Sequence, residues 1–292
     1  MTEHPTVVDA HQHFWDPTRA AYPWMTDALA AIRRPFGPAD LLPLIHAAGI
    51  TRTILVQTRA SIDETREFLE LTARHEFIAG VVGWVDLTLP DVADRIAELR
   101  AGPGGRKLVA IRHQVYDESD ERWLLRRDVR AGLGAVRDAG LAFDLLVRTR
   151  ELTSAAAVAR EFDDLRFVVD HLAKPPIREG AVAEWSARLA PLASLPNVSA
   201  KLSGLVTEAD WTSWRLDQLV PYVSRALEWF GASRLLFGSD WPVCLLAASY
   251  AEVLDAYRRA VEDVTAGERT RIFGGNALAW YRLDVLAPAE GR

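Results

Sequence analysis

The stretch TVVDAHQHFWDPTRAAYPWM, residues 6–25, begins as an apolar run, closes on two histidines and continues into an aromatic segment. Its first half reads as a buried strand over 6–14, and strand alternation puts His11 and His13 on one face with Gln12 opposite. Open doubly wound sheets commonly follow their first strand with a glycine-rich phosphate turn. Here HFWDPTRAAYPWM follows instead, so the open sheet loses its main support.

Seven more short apolar runs come after it: RTILVQTR (52–59), FIAGVVGWVDL (77–87), LVAIRHQVY (108–116), LAFDLLVR (141–148), RFVVDHLAK (166–174), NVSAKLSGL (197–205) and RLLFGSDWPV (234–243). Amphipathic helical segments such as SIDETREFLELTARH (61–75) and LDQLVPYVSRALEWFG (216–231) separate them. Gly49, Gly140 and Gly231 stand where helix C-caps belong. Near-continuous apolar strands alternating with helices mean a parallel sheet covered on both faces. Eight of them predict an α/β chain folded as a single (β/α)8 TIM barrel over residues 1–292, with an aromatic loop after the first strand. No linker or change of composition marks a second domain.

A net charge of −6 without a basic tract argues against nucleic acid as a partner. No uncharged apolar run reaches the roughly 20 residues that cross a bilayer. Cys244 is the only cysteine, so no intrachain disulfide forms, and packing is its expected role. The start MTEHPTVVDA lacks the basic and apolar segments of a signal peptide. A cytoplasmic protein, monomer or homo-oligomer, acting on a small molecule is expected.

Barrel enzymes do their chemistry at the C-terminal strand ends. Those ends carry Gln57 and Arg59; Arg112, His113 and Tyr116; Asp144 and Arg148; Asp170, His171 and Lys174; Lys201 and Ser203; Ser239 and Asp240. Burying charge is costly, so a ring of ionisable groups within apolar strands calls for catalysis or binding. His11, His13, His171 and Asp240 are the candidate ligands of one divalent metal, zinc above all, with an open coordination position. Asp240 can also take a proton from water. Arg112, His113 and Lys201 are candidate donors to an oxyanion, although Arg112 and His113 lie on opposite faces of one strand.

Trp15, Trp24, Arg59, Tyr116, Lys174 and Trp241 are the candidate substrate contacts. Trp15, Tyr22 and Trp24 form either a lid or a packed layer. Blander roles stand beside these: a core histidine for His171, an Asx turn for Asp240, a helix N-cap for Asn276.

Taken together, DAHQHFWDP…YPW, QTRASIDETREFLELT, GVVGWVDL, IRHQVYDE, DHLAKP, KLSGL, FGSDWPV and GNALAWYRL resemble the amidohydrolase superfamily. The similarity runs along nearly the whole chain and points to the branch of metal-dependent hydrolases that contains the sugar lactonases. It implies a (β/α)8 barrel, carbohydrate catabolism, and hydrolysis of a lactone of the L-fucono- or L-rhamnonolactone type, with His11, His13, His171 and Asp240 as the reactive core. Many amidohydrolases add a lysine or histidine from the fifth strand. LAFDLLVR has neither, which argues against a two-metal site, and one metal-free hydrolase of a pyrone dicarboxylate resembles this branch. A carboxylated lactone clamped by Arg59, Arg112 and Arg148, a decarboxylation at a similar site, or sugar binding without turnover are the alternatives.

Overall fold

The structure is a computed structural model that describes residues 6–283. Eight parallel strands follow one another around the sheet in chain order: β1 (Val8–Gln12), β2 (Arg52–Val56), β3 (Ile78–Gly83), β4 (Leu108–Gln114), β5 (Ala142–Leu146), β6 (Arg166–Val169), β7 (Val198–Leu202) and β8 (Leu235–Phe237). Helices between them cover the outside, among them Ile62–Thr72, Arg127–Asp138, Val182–Ala193 and Leu216–Phe230. The result is the expected (β/α)8 barrel. No helix among the described residues is long and apolar enough to cross a membrane.

Local sequence explains several element ends. Ser61 caps Ile62–Thr72 by accepting from the Glu64 N–H. Gly49 and Gly140 take left-handed φ values of 71° and 72° at the ends of their helices, where a side chain would be strained. Asn276 is not the expected N-cap. It lies inside the helix Asn276–Trp280, and its Nδ2 donates to the carbonyls of Ala232 and Leu235, each at 2.7 Å. An amide side chain at a helix start looks like a cap in sequence; here the start of β8 is the better acceptor.

Side chains of alternate residues fill the barrel: Val8 and Ala10, Ile54 and Val56, Val82, Ala110, Ala142, Val168 and Leu236. Ala277, Tyr281 and Leu283 pack against this set. A larger apolar layer lies between strands and helices. β1 breaks the alternation. Its register against β2 slips between Asp9 and Gln12, so Ala10 joins the inner apolar set while His11, the next residue, also reaches the barrel's interior polar groups. Such a bulge re-aims side chains, and here it turns His11 and His13 inward above an apolar floor.

All eight strands are shorter than the apolar runs that predicted them, and two keep less than half of their run. The run 166–174 is strand only to Val169, and 234–243 is strand only over Leu235–Phe237. Beyond them the backbone enters left-handed conformations: φ is 52°, 50°, 61° and 49° at His171, Leu172, Ala173 and Lys174, and 58° at Asp240. For side-chain-bearing residues such backbone costs roughly 1–2 kcal/mol each. It persists only where surroundings enforce it and clusters at functional sites.

Candidate active site

Four side chains converge at the open end of the barrel. His11 Nε2 and His13 Nε2 are 3.1 Å apart. Asp240 Oδ1 lies 3.4 Å from His13 Nε2, 3.7 Å from His11 Nε2 and 3.8 Å from His171 Nε2. The strands make this convergence. β1 supplies the two histidines, the left-handed turn after β6 swings His171 inward, and the left-handed Asp240 leaves β8 beside β1. Gly238 and Gly204 permit the approach: a Cβ on Gly238 would stand 2.6 Å from His11 Cβ, and one on Gly204 2.5 Å from His171 Nδ1.

The imidazoles are oriented from behind. His13 Nδ1 is 2.8 Å from the Val56 carbonyl, which requires Nδ1 to donate and leaves Nε2 a lone pair. His171 Nδ1 is 2.8 Å from Ser203 Oγ. His11 Nδ1 is 3.1 Å from Lys201 Nζ and 3.3 Å from Asp170 Oδ1. Burial lowers the His171 imidazole to about 4 despite Asp240, and burial followed by Lys201 takes His11 well below its ordinary value. Burial alone would raise Asp240, but His171, His13 and His11 hold its carboxyl well below the usual carboxylate range. Three imidazoles, each held through its second nitrogen and facing one carboxylate, make a candidate divalent-cation site: the donor atoms of His11, His13 and Asp240 lie close enough to share an ion, and so do those of His11, Asp170 and His171. Lys201 Nζ can only donate, so a neutral His11 that accepts from it at Nδ1 carries its proton on Nε2, and the 3.1 Å contact to His13 Nε2 is a hydrogen bond whose proton a bound cation would replace.

A network of charges lies beneath. Lys201 Nζ is 2.6 Å from Asp144 Oδ2 and 2.8 Å from Asp170 Oδ1. Asp170 Oδ2 accepts from Arg112 at 3.0 Å, and the Tyr281 hydroxyl donates to Asp144 at 2.8 Å. Burial works to raise Asp170, but Lys201, His11 and Arg112 together take it well below its ordinary range. Asp144 is raised to about 6, mainly by burial. Each charge is buried and paired, the only economical way to keep it there.

Above the convergence opens a cup of about 460 Å³. His13, His171, Asp240, Arg112, Trp24, Tyr116 and Lys174 line it, so these expected residues meet. Others do not. His113 faces the opposite side of β4 from Arg112, as period-two alternation demands. It stacks on Trp123 with ring centres 4.2 Å apart, and its Nε2 lies 2.7 Å from Glu118 Oε1. Lys201 is fully buried below His11 and does not reach the cup.

Trp15 packs at right angles to Phe36 and donates to the Ile32 and Arg34 carbonyls. Trp241, 1% exposed, packs on Phe14 and Phe36. Arg59 lines a neighbouring cavity and pairs with Glu64 at 3.4 Å. Of the aromatic loop, Trp24 alone among Trp15, Tyr22 and Trp24 faces the cup; the other two form a packed layer. Cys244 is buried, and desolvation raises its thiol well above its ordinary value.

The cup also contains Thr58, Gln114, Thr207, Glu208 and Trp211, which the sequence reading missed. Thr207, Glu208 and Trp211 come from the loop after β7, LVTEADWTSW, where a polar and aromatic run replaces the apolar strand. That break was a usable signal. Glu208 accepts a close hydrogen bond from Lys174 Nζ.

An amidohydrolase family profile matches residues 8–283. The chain is 42% identical over 296 residues to an L-fucono-1,5-lactonase of Burkholderia multivorans, covering 98% of each. It is 42% identical over 281 residues to an L-fucono-1,5-lactonase of Burkholderia ambifaria, covering 95% of this chain and 96% of the relative. A crystal structure of a Burkholderia multivorans amidohydrolase with bound zinc superposes with a TM-score of 0.91 at 42% identity, over 95% of this chain and 99% of that one. With these similarities along almost all of its length and the buried histidine–aspartate cluster at the mouth of its barrel, the chain belongs to the amidohydrolase family.

Proposed function

We propose that this chain is a lactonase that hydrolyses a neutral sugar lactone, L-fucono-1,5-lactone being the first to test, and that it works in the cytoplasm with one zinc ion. His11, His13, His171 and Asp240 hold the metal. The relatives that carry the L-fucono-1,5-lactonase name support the substrate class, and the zinc-bound relative supports the metal.

The convergence of Asp240 with three imidazoles at the cup floor is the observation that carries the reading. The cup also favours a neutral, hydroxyl-rich ring over a carboxylated one. Of the three arginines that might clamp an anionic substrate, Arg59 pairs with Glu64 outside the cup. Both terminal nitrogens of Arg112 are engaged, by Asp170 and the Gln57 carbonyl. Arg148 is shared between the cup and the cavity beside it and leans toward the Tyr116 ring. Trp24, Tyr116 and Trp211 offer rings to C–H faces, while Gln114, Thr58 and the Lys174–Glu208 pair offer donors and acceptors to hydroxyls.

Bound zinc lowers the pKa of a coordinated water toward about 7 and draws electron density from a carbonyl oxygen. Asp240 accepts a proton from the attacking water as the water oxygen joins the lactone carbonyl carbon. Arg112, on the cup wall with its terminal nitrogens held by Asp170 and Gln57, adds its positive field to the developing oxyanion. The bond from that carbon to the ring oxygen then breaks, and Asp240 returns its proton to the departing ring oxygen, which leaves as a hydroxyl of the open-chain acid. His13 and His171, fixed by Val56 and Ser203, keep the reacting oxygen and carboxylate aligned.

Acid release from L-fucono-1,5-lactone, assayed beside a pyrone dicarboxylate with metal content measured, tests the proposal. Lactone opening is expected without CO2 evolution. Asp240→Asn should fold normally and lose activity by about 10²-fold or more. An Asp240→Asn enzyme with near wild-type turnover removes the mechanism, and selective opening of the dicarboxylate removes the substrate class.

A further inference from the structure

A second cavity, of about 500 Å³, adjoins the cup. The two share Arg148, Lys174, Thr207, Glu208 and Trp211 as a common wall. Arg150, Arg178 and Glu179 complete the outer cavity's charged lining, giving four cations against two carboxylates in a chain of net charge −6.

The cations are not equivalent. Lys174 is neutralised by Glu208, and Arg150 is bound to Glu151 and to the carbonyls of Tyr116 and Glu118. Arg148 and Arg178 pair with no carboxylate among the described residues. The Arg148 guanidinium lies 5.1 Å from the centre of the Tyr116 ring, at the junction of the two cavities. Arg178 donates to the Ala209 carbonyl at 3.2 Å and lines only the outer cavity. Two guanidiniums with no carboxylate in salt-bridge contact, Arg148 feeling only the more distant Asp117 of the cup, therefore line the way out, one shared by both cavities and one in the outer cavity alone.

We propose that this outer cavity is an anion vestibule that receives the carboxylate of an open-chain sugar acid leaving the cup, with Arg148 and Arg178 as its successive contacts. This rests on the lactonase reading. Ring opening turns a neutral substrate into a carboxylic acid, which is ionised at neutral pH. Of the cations around the cup floor, Arg112 is already occupied by Asp170, and Lys201 beneath it by Asp144. Arg148 is the nearest cup-lining cation still lacking a carboxylate, and its planar fork suits one. Attraction to Arg148 and then to Arg178 draws the anion outward, and the neutral lactone does not feel it. The same carboxylate chemistry would serve a carboxylated substrate, so the test separates the two.

The zinc-loaded full chain is assayed on a neutral sugar lactone, with the sodium salt of its open-chain acid as inhibitor. Arg178→Gln and Arg148→Gln are each expected to raise the inhibition constant of the acid by about tenfold, as for loss of a hydrogen bond to a charged group. In Arg178→Gln that rise outpaces any change in KM for the lactone. Arg178→Lys, which keeps the charge, retains most of the inhibition, and added salt weakens inhibition of the wild type more than that of Arg178→Gln.

An inhibition constant unchanged in both glutamine variants overturns the proposal, as does one that only moves in parallel with KM. So does a KM for a carboxylated lactone that rises in Arg178→Gln while inhibition by the acid stays put. If the wild type opens no sugar lactone, the functional reading fails on its own. Calorimetric titration of the sugar acid into wild type and Arg178→Gln then still decides whether the vestibule binds the anion.

Discussion

His171 is a titratable group that folding must keep neutral. Burial takes its imidazole to about 4 in the folded chain, whereas an unfolded histidine takes up a proton near 6.5. Below pH 6.5 the unfolded state therefore binds the extra proton and the folded state does not, so His171's contribution is intact at pH 7 and is lost as pH falls toward 4. By pH 5 the loss is about 2 kcal/mol, at roughly 1.4 kcal/mol for each pH unit. Asp144, raised to about 6, titrates in the opposite sense, its folded form taking the proton first and gaining stability as pH falls. A comparison with His171→Asn cancels that contribution. In urea unfolding of metal-free protein at pH 7 and pH 5, the wild type should lose about 2 kcal/mol relative to His171→Asn; parallel losses would mean His171 is not held neutral. At this scale the sequence was informative where ionisable groups interrupted apolar runs, which is how His11, His13, His171 and Asp240 stood out. It was silent about partners. Asp144 and Asp170 were equally conspicuous, yet Lys201 and Arg112, which make their burial tolerable, come from other strands.

The element that matters most is the turn His171–Lys174, four consecutive residues with left-handed backbone and no glycine among them. Apolar runs and alternation carried the reading of eight strands, because burial on both faces leaves a compositional trace. The same logic overextended β6, since VVDHLA is as apolar as a strand while its backbone is set by distant contacts. The helix Val182–Ala193 provides one of them: the Trp185 indole, wholly buried, donates to the Leu172 carbonyl at 2.7 Å. Lys174 N–H closes the turn on the His171 carbonyl at 2.8 Å. Trp185→Phe keeps much of the apolar contact and leaves that carbonyl unsatisfied. It should cost about 1–3 kcal/mol of stability. It should also lower kcat, because the turn aims both His171 and Lys174 into the cup. Wild-type kcat with reduced stability would show that other contacts alone hold the turn.

The whole barrel closes through a short seam. β8 has three residues, and beyond it the backbone reaches β1 through His13 N–H to the Trp241 carbonyl at 2.7 Å and Asp240 N–H to the His11 carbonyl at 2.8 Å. Asp9 binds the seam from inside. Its Oδ1 accepts from Ser239 N–H at 2.8 Å and His11 N–H at 3.1 Å, and its Oδ2 accepts the Tyr250 hydroxyl at 2.9 Å. Asp9 therefore links His11 on β1 to Ser239, the neighbour of Asp240, though in sequence it is one acid within an apolar run. Asp9→Asn keeps the shape and exchanges one acceptor for a donor, so the Tyr250 hydroxyl must turn to accept and loses the carboxylate it donated to; the expected cost is about 1–3 kcal/mol. Because the seam sets the distance between His11 and Asp240, zinc retention should fall as well. Ile96→Val, on the outer helix Val92–Ala101, is the control, with a cost of about 0.5–1.5 kcal/mol from a lost methylene. In a chelator titration Asp9→Asn should release zinc at lower chelator concentration than Ile96→Val or wild type. Equal release from the two variants would mean that Asp9 stabilises the barrel without setting the geometry of its mouth.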